Sequence, residues 1–271
     1  MSDEKTLVRY EARDGVAYLT LDDPPVNGYT HEMMRGIDEG ILKARFDNDV
    51  YVIVITAAGE KFFCAGANIN MLQTAEPRFK YNFCLHANET LNRLEHTPKL
   101  VIAALNGHTV GGGLEIAMAA DLRIARRQGG KDCGKVGLPE ITLGVLPGTG
   151  GTQRLSRMLG KSRAIELMVT GGLLSLDQSK DMGLINDVFD AEDLDGWRDQ
   201  IHEYAKQFCP PNTASKAAGR IKRAVQSGSE VPFESGLAIE RELQQQLFES
   251  DDATEGLNAY VEKRKPSFSG R

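Results

Sequence analysis

The sequence predicts an α/β fold with a largely buried parallel sheet. Apolar runs typical of strands alternate with longer segments of helical periodicity, and glycine-rich turns join several of them. Repeated crossovers of this kind are right-handed and bury the strands between layers of helices. With 271 residues, 41% of them hydrophobic and 26% charged, the chain has a globular composition and enough length for a sizeable core. We therefore expect one large domain, or one domain with an appendage.

The first predicted unit is a strand, a helix and a second strand. VAYLTLDD (Val16–Asp23) and VYVIVITAAG (Val50–Gly59) have the composition of strands. Between them, Ile37, Ile41 and Leu42 recur at helical spacing. A helix between two strands is the usual connection of a parallel pair.

A second unit follows the same plan. Tyr81–Glu95 places most of its apolar side chains on one helical side, and Pro98 ends this helix before the predicted strand LVIAALNG. The turn GHTVGGGLE (Gly107–Glu115) then leads into an apolar helix. Beyond about Leu173 the pattern becomes helical and charged, which indicates a C-terminal layer of helices.

Charge and cysteine spacing exclude several classes of function. The net charge of −6 and the pI near 5.5 provide no broad positive field for nucleic acid or an anionic membrane. No apolar run approaches the roughly 20 residues that span a bilayer, and the first residues lack a signal-like apolar segment. The four cysteines form no CxxC pair, which suits neither a disulfide framework nor a zinc site. We expect a cytoplasmic protein with reduced thiols and no metal.

The glycine cluster Gly107–Glu115 is the first candidate site. A phosphate-binding P-loop would need a Lys after its glycines, and GTGGTQR (Gly148–Arg154) follows a loop proline instead of the strand that a Rossmann motif needs. Two interpretations remain: a tight corner between strand and helix, or a backbone that approaches a ligand and offers N–H groups to an oxyanion. The loop FFCAGANI (Phe62–Ile69) also follows a predicted strand and has similar small residues. Two such loops could each supply one N–H to a single carbonyl oxygen.

Two glutamates stand in apolar surroundings near these loops. Glu115 directly follows the glycines at the start of an apolar helix, and Glu140 lies between Leu138 and Ile141 in KVGLPEITLG. Either residue alone is explained by capping or by a salt bridge. Together, beside an oxyanion site, they are typical of paired acid and base catalysis.

The ordered motifs FFCAGANI, ALNGHTVGGGLEIAMAADLRIA, GLPEITLGVLPGTGGTQRLSRMLG and EGLNAYVEKRKPSF resemble the enoyl-CoA hydratase (crotonase) family, over nearly the whole chain from Val8 to Phe268. The resemblance implies a spiral of ββα units in two nearly perpendicular sheets, followed by C-terminal helices that form trimers or a dimer of trimers. We divide the chain accordingly into a spiral core with the active site at residues 1–195 and a helical region at residues 196–271 for oligomerisation and active-site cover.

The resemblance also implies roles for individual residues. Glu115 and Glu140 match the catalytic glutamates of the family, and possession of both favours hydration of an acyl-CoA thioester. The oxyanion donors become the N–H groups of Ala67 and Gly112. The substrate-binding positions implied are Ala65, Asn68, Ile69, Asn70, Gly111 and Leu138. No separate cofactor is expected, because coenzyme A is part of the substrate.

Other interpretations stay open. An isomerase or another acyl-CoA lyase could use one glutamate, and a crotonase-like protein could bind RNA, although the acidic charge disfavours that. The segment Gly129–Gly134 is predicted to be an exposed loop, either a harmless insertion or one that reshapes the acyl pocket near Glu140. Tyr29 and His31 are possible acyl or nucleotide contacts, and Cys64 is expected to be a buried apolar group.

Overall fold

The structure is a computed structural model, and it describes residues 5–270. Within that range the strands are β1 (Val8–Arg13), β2 (Val16–Leu21), β3 (Val52–Ala57), β4 (Phe62–Cys64), β5 (Leu100–Leu105), β6 (His108–Val110), β7 (Leu122–Gln128), β8 (Lys131–Asp132), β9 (Val136–Gly137) and β10 (Asp187–Ala191). The helices are α1 (His31–Phe46), α2 (Ile69–Thr74), α3 (Pro77–Glu95), α4 (Gly112–Met118), α5 (Gly151–Leu159), α6 (Lys161–Thr170), α7 (Leu176–Asp181), α8 (Leu194–Lys206), α9 (Ser215–Gly228), α10 (Phe233–Phe248) and α11 (Asp251–Glu262), with a 3-10 turn at Glu140–Leu143.

The strands form two sheets. The larger sheet has the order β1-β2-β3-β5-β7-β10, in which β1 is antiparallel to β2 and the other neighbours are parallel. The smaller sheet has the parallel order β4-β6-β9. The helical connections between parallel neighbours are those that the sequence predicts. The small sheet matters most for function, because its strands lead into the glycine-rich loops.

The core explains the apolar pattern of the central strands. All six residues of β3 are buried, as expected of a parallel strand that is covered on both faces. On one face, Ile53 and Ile55 belong to the apolar cluster that includes α1 and α3. On the opposite face, Val54 packs with Trp197 of α8. The side chain of Thr30 caps α1 by accepting from the N–H of Met33, which fixes where that helix begins.

The segment Gly129–Gly134 is mostly exposed, as predicted, but part of it forms a hairpin and not a loop. Gly129 and Gly130, with φ of 55° and 76°, form the turn of a hairpin in which β8 pairs antiparallel with the end of β7. Positive φ at both central residues suits a two-residue hairpin turn, and glycine adopts it without strain. The hairpin is held by the N–H of Gly130, which donates to Asp190 of β10 over 2.8 Å. It therefore extends the large sheet.

The C-terminal helices pack on the sheet without a linker. A Cβ at Gly219 of α9 would overlap the carbonyl oxygen of Pro98, so only glycine allows this close approach. Three residues further on, the ammonium group of Lys222 lies 2.8 Å from the carboxylate of Asp121, and both side chains are largely buried. Among residues 5–270, none of the helices combines the length and apolar character that crossing a bilayer requires.

Candidate active site

The first loop of the site follows β4. Tyr29 fixes it, because the Tyr29 N–H donates to the Gly66 carbonyl over 3.0 Å and the Asn68 N–H donates to the Tyr29 carbonyl over 3.0 Å. Gly66 has a φ of 96°, which turns the chain at the end of the strand. Between these two bonds, the Ala67 N–H has no hydrogen-bond acceptor within residues 5–270. The loop therefore presents one free backbone donor.

The second loop follows β6 and contains the three consecutive glycines. The Gly111 N–H donates to the Gly137 carbonyl over 2.9 Å, and α4 begins at the next residue. In the part of the chain described, the Gly112 N–H at this helix start is likewise without an acceptor. A Cβ at Gly113 would overlap the Cys64 carbonyl, and one at Gly66 would lie 3.1 Å from the Gly112 nitrogen. The two loops are thus in contact, and their free N–H groups are neighbours.

A cavity of about 430 Å³ opens beside these donors. Residues of both loops line it together with Glu115 and Glu140. The rest of the wall is mostly apolar and comes from Tyr29, Ile69, Leu72, Phe83, Cys84, Leu143, Val145 and Leu146. An apolar cavity with a few converging polar groups is the usual form of a small-molecule site.

Glu115 is buried at the base of the cavity, with 2% of its surface exposed. Its Oε1 accepts hydrogen bonds from the N–H groups of Thr149 and Gly151, each at 2.7 Å. Burial raises the pKa of Glu115, whereas the hydrogen bonds from Gly151 and Thr149 and the charge of Arg154 oppose the rise. The backbone donors therefore hold this carboxylate in one orientation and favour its ionised form.

Glu140 faces the same cavity from the 3-10 turn. A Cβ at Gly111 would lie 3.2 Å from Glu140 Oε1, so the carboxyl reaches the glycine loop. The Oε2 atom is buried and has no hydrogen-bond partner among residues 5–270. Burial raises the pKa of Glu140 to about 7, and the charge of Glu115 adds to the rise. Glu115 therefore accepts hydrogen bonds from two backbone donors, whereas the raised pKa of Glu140 lets it keep a proton near neutral pH.

Most residues predicted for the site line this cavity, but three do not. Ala65, Ala67, Ile69, Gly111, Gly112, Glu115 and Glu140 are at its wall. Asn68 caps α2 by accepting from the Met71 N–H over 3.1 Å. Asn70 is exposed on α2, and Leu138 is buried in the apolar core. The substrate-binding roles of these three residues stay predictions without support from the shape of the cavity.

Two residues of the wall are not predicted as site residues. The sequence indicates only an apolar helix position for Phe83 and only part of an excluded nucleotide motif for Thr149. A sequence signal for Thr149 exists in the repeated glycines of Gly148–Gly151, which leave backbone N–H groups open to a carboxylate. Cys64 is fully buried, and burial raises the pKa of its thiol to about 12, so it is an unreactive packing group.

No group of three or more His, Cys, Asp or Glu side chains within residues 5–270 is arranged to hold a metal ion. All residues that line the cavity lie between Tyr29 and Thr149. The expected cover from residues 196–271 is therefore not made within one chain, and that role of the C-terminal region stays a prediction.

Comparison with known proteins finds relatives that match nearly the whole chain. A family model described as enoyl-CoA hydratase/isomerase matches residues 11–271. The short-chain-enoyl-CoA hydratase of Clostridium acetobutylicum is 34% identical over 256 residues, which cover 94% of each chain. The 2,3-dehydroadipyl-CoA hydratase of Escherichia coli is 34% identical and covers 94% of this chain and 96% of its own.

Among solved structures, that of an enoyl-CoA hydratase from Geobacillus kaustophilus superposes with a TM-score of 0.93 at 42% identity, covering 99% of this chain and 98% of that one. An enoyl-CoA hydratase from Bacillus anthracis superposes with a TM-score of 0.89 at 29% identity, covering 98% and 100%. These matches confirm the predicted crotonase fold. The chain belongs to the enoyl-CoA hydratase/isomerase (crotonase) family and is an enzyme of the hydratase type.

Proposed function

We propose that the protein adds water across the C2–C3 double bond of a 2-enoyl-CoA thioester. The observation that carries the proposal is the convergence of Glu115, Glu140 and two unpaired backbone N–H groups on one apolar cavity. Coenzyme A belongs to the substrate, and no separate cofactor or metal takes part. The apolar wall suits an unsaturated acyl chain.

The N–H groups of Ala67 and Gly112 receive the thioester oxygen. When water attacks C3, the electron pair of the double bond moves towards the carbonyl and places negative charge on that oxygen. Two fixed donors stabilise this enolate-like state by several kcal/mol, because they need no reorientation during the reaction. The helix that begins at Gly112 adds the positive end of its dipole.

The two glutamates divide the proton transfers. Glu115, which accepts two backbone hydrogen bonds, takes a proton from the attacking water. Glu140, whose pKa lies at about 7, delivers a proton to C2. The new C3–O and C2–H bonds together add one molecule of water. We propose that both proton transfers take place on one face of the double bond, so that the addition is syn.

We further propose that the chain acts as a homo-oligomer in the cytoplasm, either a trimer or a dimer of trimers. The exposed apolar side chains of α10 and α11 support this, among them Phe233, Phe248, Leu257, Tyr260 and Val261. Neither nucleic acid nor a membrane is a proposed partner.

The test of the reaction uses Glu115→Gln and Glu140→Gln with a panel of enoyl-CoA thioesters of different chain lengths. Each amide keeps the shape of the side chain but removes acid–base function, so kcat is expected to fall by roughly 10²- to 10⁴-fold. Binding of the thioester should remain nearly unchanged. The measurements are the loss of conjugated-enoyl absorbance and the product mass, which rises by one water.

Glu39→Gln is the matched control, because Glu39 is exposed on α1 and does not line the cavity. If both active-site variants keep full turnover on every substrate that the wild type accepts, the acid–base assignment is rejected. A product of unchanged mass with a displaced double bond would show isomerisation in place of hydration.

A further inference from the structure

Tyr29 occupies a central place in the site that the proposed reaction does not explain. The side chain is 2% exposed, and its ring stacks on Phe83 with 5.3 Å between the centroids. A Cβ at Gly112 would overlap the Tyr29 ring, so the ring fills the space that this glycine leaves. The backbone of Tyr29 holds Gly66 and Asn68 on either side of Ala67. One residue thus contacts both loops that carry the unpaired N–H groups.

The hydroxyl of Tyr29 is connected through Thr149 to Glu115, the proposed base. It lies 2.8 Å from the Thr149 Oγ1, and the Thr149 N–H donates to Glu115 Oε1 over 2.7 Å. The Thr149 hydroxyl also lowers the pKa of Glu115. Thr149 therefore links Tyr29, which its side chain contacts, to Glu115, which its backbone N–H holds.

The Tyr29 hydroxyl is protonated and can donate to the Thr149 oxygen. Burial and the charge of Glu115 raise the pKa of Tyr29 well above its usual value, so the phenol keeps the proton that it donates. The chain runs from Tyr29 through Thr149 to Glu115.

We propose that Tyr29 is a positioning residue for the hydration, because its hydrogen bond to the Thr149 side chain fixes the Thr149 N–H that donates to the carboxylate of Glu115. This inference rests on the proposed function. Without the Tyr29 hydroxyl, the Thr149 side chain loses the contact that anchors it, and its N–H is held less firmly against Glu115. The ionised form of Glu115 is then less stable relative to its protonated form.

Other charged or titratable groups face Glu115 and must be held constant. Glu140 approaches from the 3-10 turn, Cys84 from α3 and Arg154 from α5, and Lys80 of α3 lines the same cavity. None of these groups changes in a Tyr29→Phe variant. A shift in the ionisation of Glu115 can therefore be assigned to the loss of the phenol hydroxyl.

The experiment measures kcat and KM of the full-length protein with an enoyl-CoA thioester from pH 5 to 9 for the wild type and Tyr29→Phe. Because Glu115 must be ionised to act as base, its protonation sets the acidic limb of the profile. That limb should move to higher pH by about 0.5–1 unit, and kcat at low pH should fall about three- to tenfold. The basic limb, set by Glu140, should not move, and KM should stay close to its wild-type value.

Two Thr149 variants give an independent measurement. Thr149→Val keeps the backbone N–H and removes the hydroxyl, so it should move the acidic limb in the same direction. Thr149→Ser keeps a hydroxyl and should restore the wild-type profile. Combining Tyr29→Phe with Thr149→Val should add little, because both substitutions break the same chain. If Tyr29→Phe fails to fold, the Val and Ser pair still decides the question.

Tyr18→Phe is the matched control. Tyr18 is also a tyrosine with a hydrogen-bonded hydroxyl, 2.7 Å from His202 Nδ1, but it lies on the sheet face that packs against α8. Its profile should equal that of the wild type. An acidic limb that stays in place in Tyr29→Phe and Thr149→Val, while Glu115→Gln abolishes hydration, overturns this inference alone. A wild type that hydrates none of the thioesters overturns the proposed function itself.

Discussion

The burial of Glu140 sets the pKa on which its proposed role as an acid depends. A buried carboxylate oxygen without a hydrogen-bond donor is costly in its charged form, so the group keeps its proton to a higher pH than an exposed glutamate. A general acid benefits from this, because its pKa of about 7 matches the pH at which it must give up a proton. The same burial links folding to pH.

Stability should therefore fall as pH rises through the titration of Glu140. Its pKa is raised from 4.5 in the unfolded chain to about 7, so its favourable contribution is complete below pH 4.5 and is lost as the pH passes 7. Because the side chain is only partly buried, we expect about 1–2 kcal/mol between pH 5 and pH 8, less than the full shift would give. Urea unfolding of the wild type and Glu140→Gln at both pH values measures this, and parallel pH dependences would contradict it.

At the residue scale, the sequence predicts which residues take part in the proposed reaction. It does not predict the contacts that set their orientation and their pKa. Glu115, Glu140 and the two glycine-rich loops follow from their motifs. The amides of Thr149 and Gly151 that hold Glu115 come from a segment 34 and 36 residues further along the chain, and no local pattern joins them to it. The importance of Tyr29 likewise depends on contacts with four separate segments, which only the folded chain brings together.

At the scale of elements, the hairpin of β7 and β8 is organised by one carboxylate. Asp132 accepts from Arg127 over 2.8 Å and from the N–H of Leu176, the first residue of α7, over 2.9 Å. Arg127 bonds to Asp177 as well, over 2.7 Å. Asp132 thus ties the hairpin to the start of a helix, and no hairpin residue lines the cavity.

We expect Asp132→Ala to lower stability without altering catalysis. The variant leaves a backbone N–H and an arginine without their shared acceptor, at a cost of about 1–2 kcal/mol. Asp177→Ala is the control, because Asp177 contacts the same arginine but is 72% exposed, so its loss should cost less than about 0.5 kcal/mol. Thermal unfolding and kcat/KM together check this. A loss of activity in folded Asp132→Ala would instead assign the hairpin a role in the pocket.

Elements with long periodic patterns were predictable, and short ones were not. The helix pattern between Val16–Asp23 and Val50–Gly59 gives α1, and Tyr81–Glu95 lies within α3. The strands of the small sheet have two or three residues, too few to show an alternation. The sequence does not predict the hairpin, because polar and charged residues surround its glycines and its contacts with α7 and β10 are long-range.

At the scale of the whole molecule, the apolar side chains of α10 are left uncovered within one chain. None of its residues is buried, although Phe233 and Phe248 are large and apolar. The neighbouring α11 adds Leu257, Tyr260 and Val261, which are mostly exposed as well. Such a concentration of exposed apolar surface is expected where subunits meet. This is the surface on which the proposed oligomer depends.

Val261→Glu should therefore reduce the molar mass in solution. A charge in a desolvated interface without a partner is unfavourable, so the assembly should dissociate towards the 29.7 kDa monomer. Phe46→Glu is the control, because Phe46 is also 79% exposed but lies at the end of α1, apart from these helices. Light scattering coupled to size-exclusion chromatography gives the masses. An unchanged mass for Val261→Glu, or a monomeric wild type, would contradict the assignment of this surface.

The buried pair of Asp121 and Lys222 has a consequence for protein synthesis. Roughly 100 residues separate the two, so a ribosome needs about 5–20 s to reach the lysine after it has added the aspartate. During that interval the sheet can form, but Asp121 lacks the ammonium group that accompanies it in the finished protein. We therefore expect the nascent core to be less stable, and more open to chaperones and proteases, until α9 has been made.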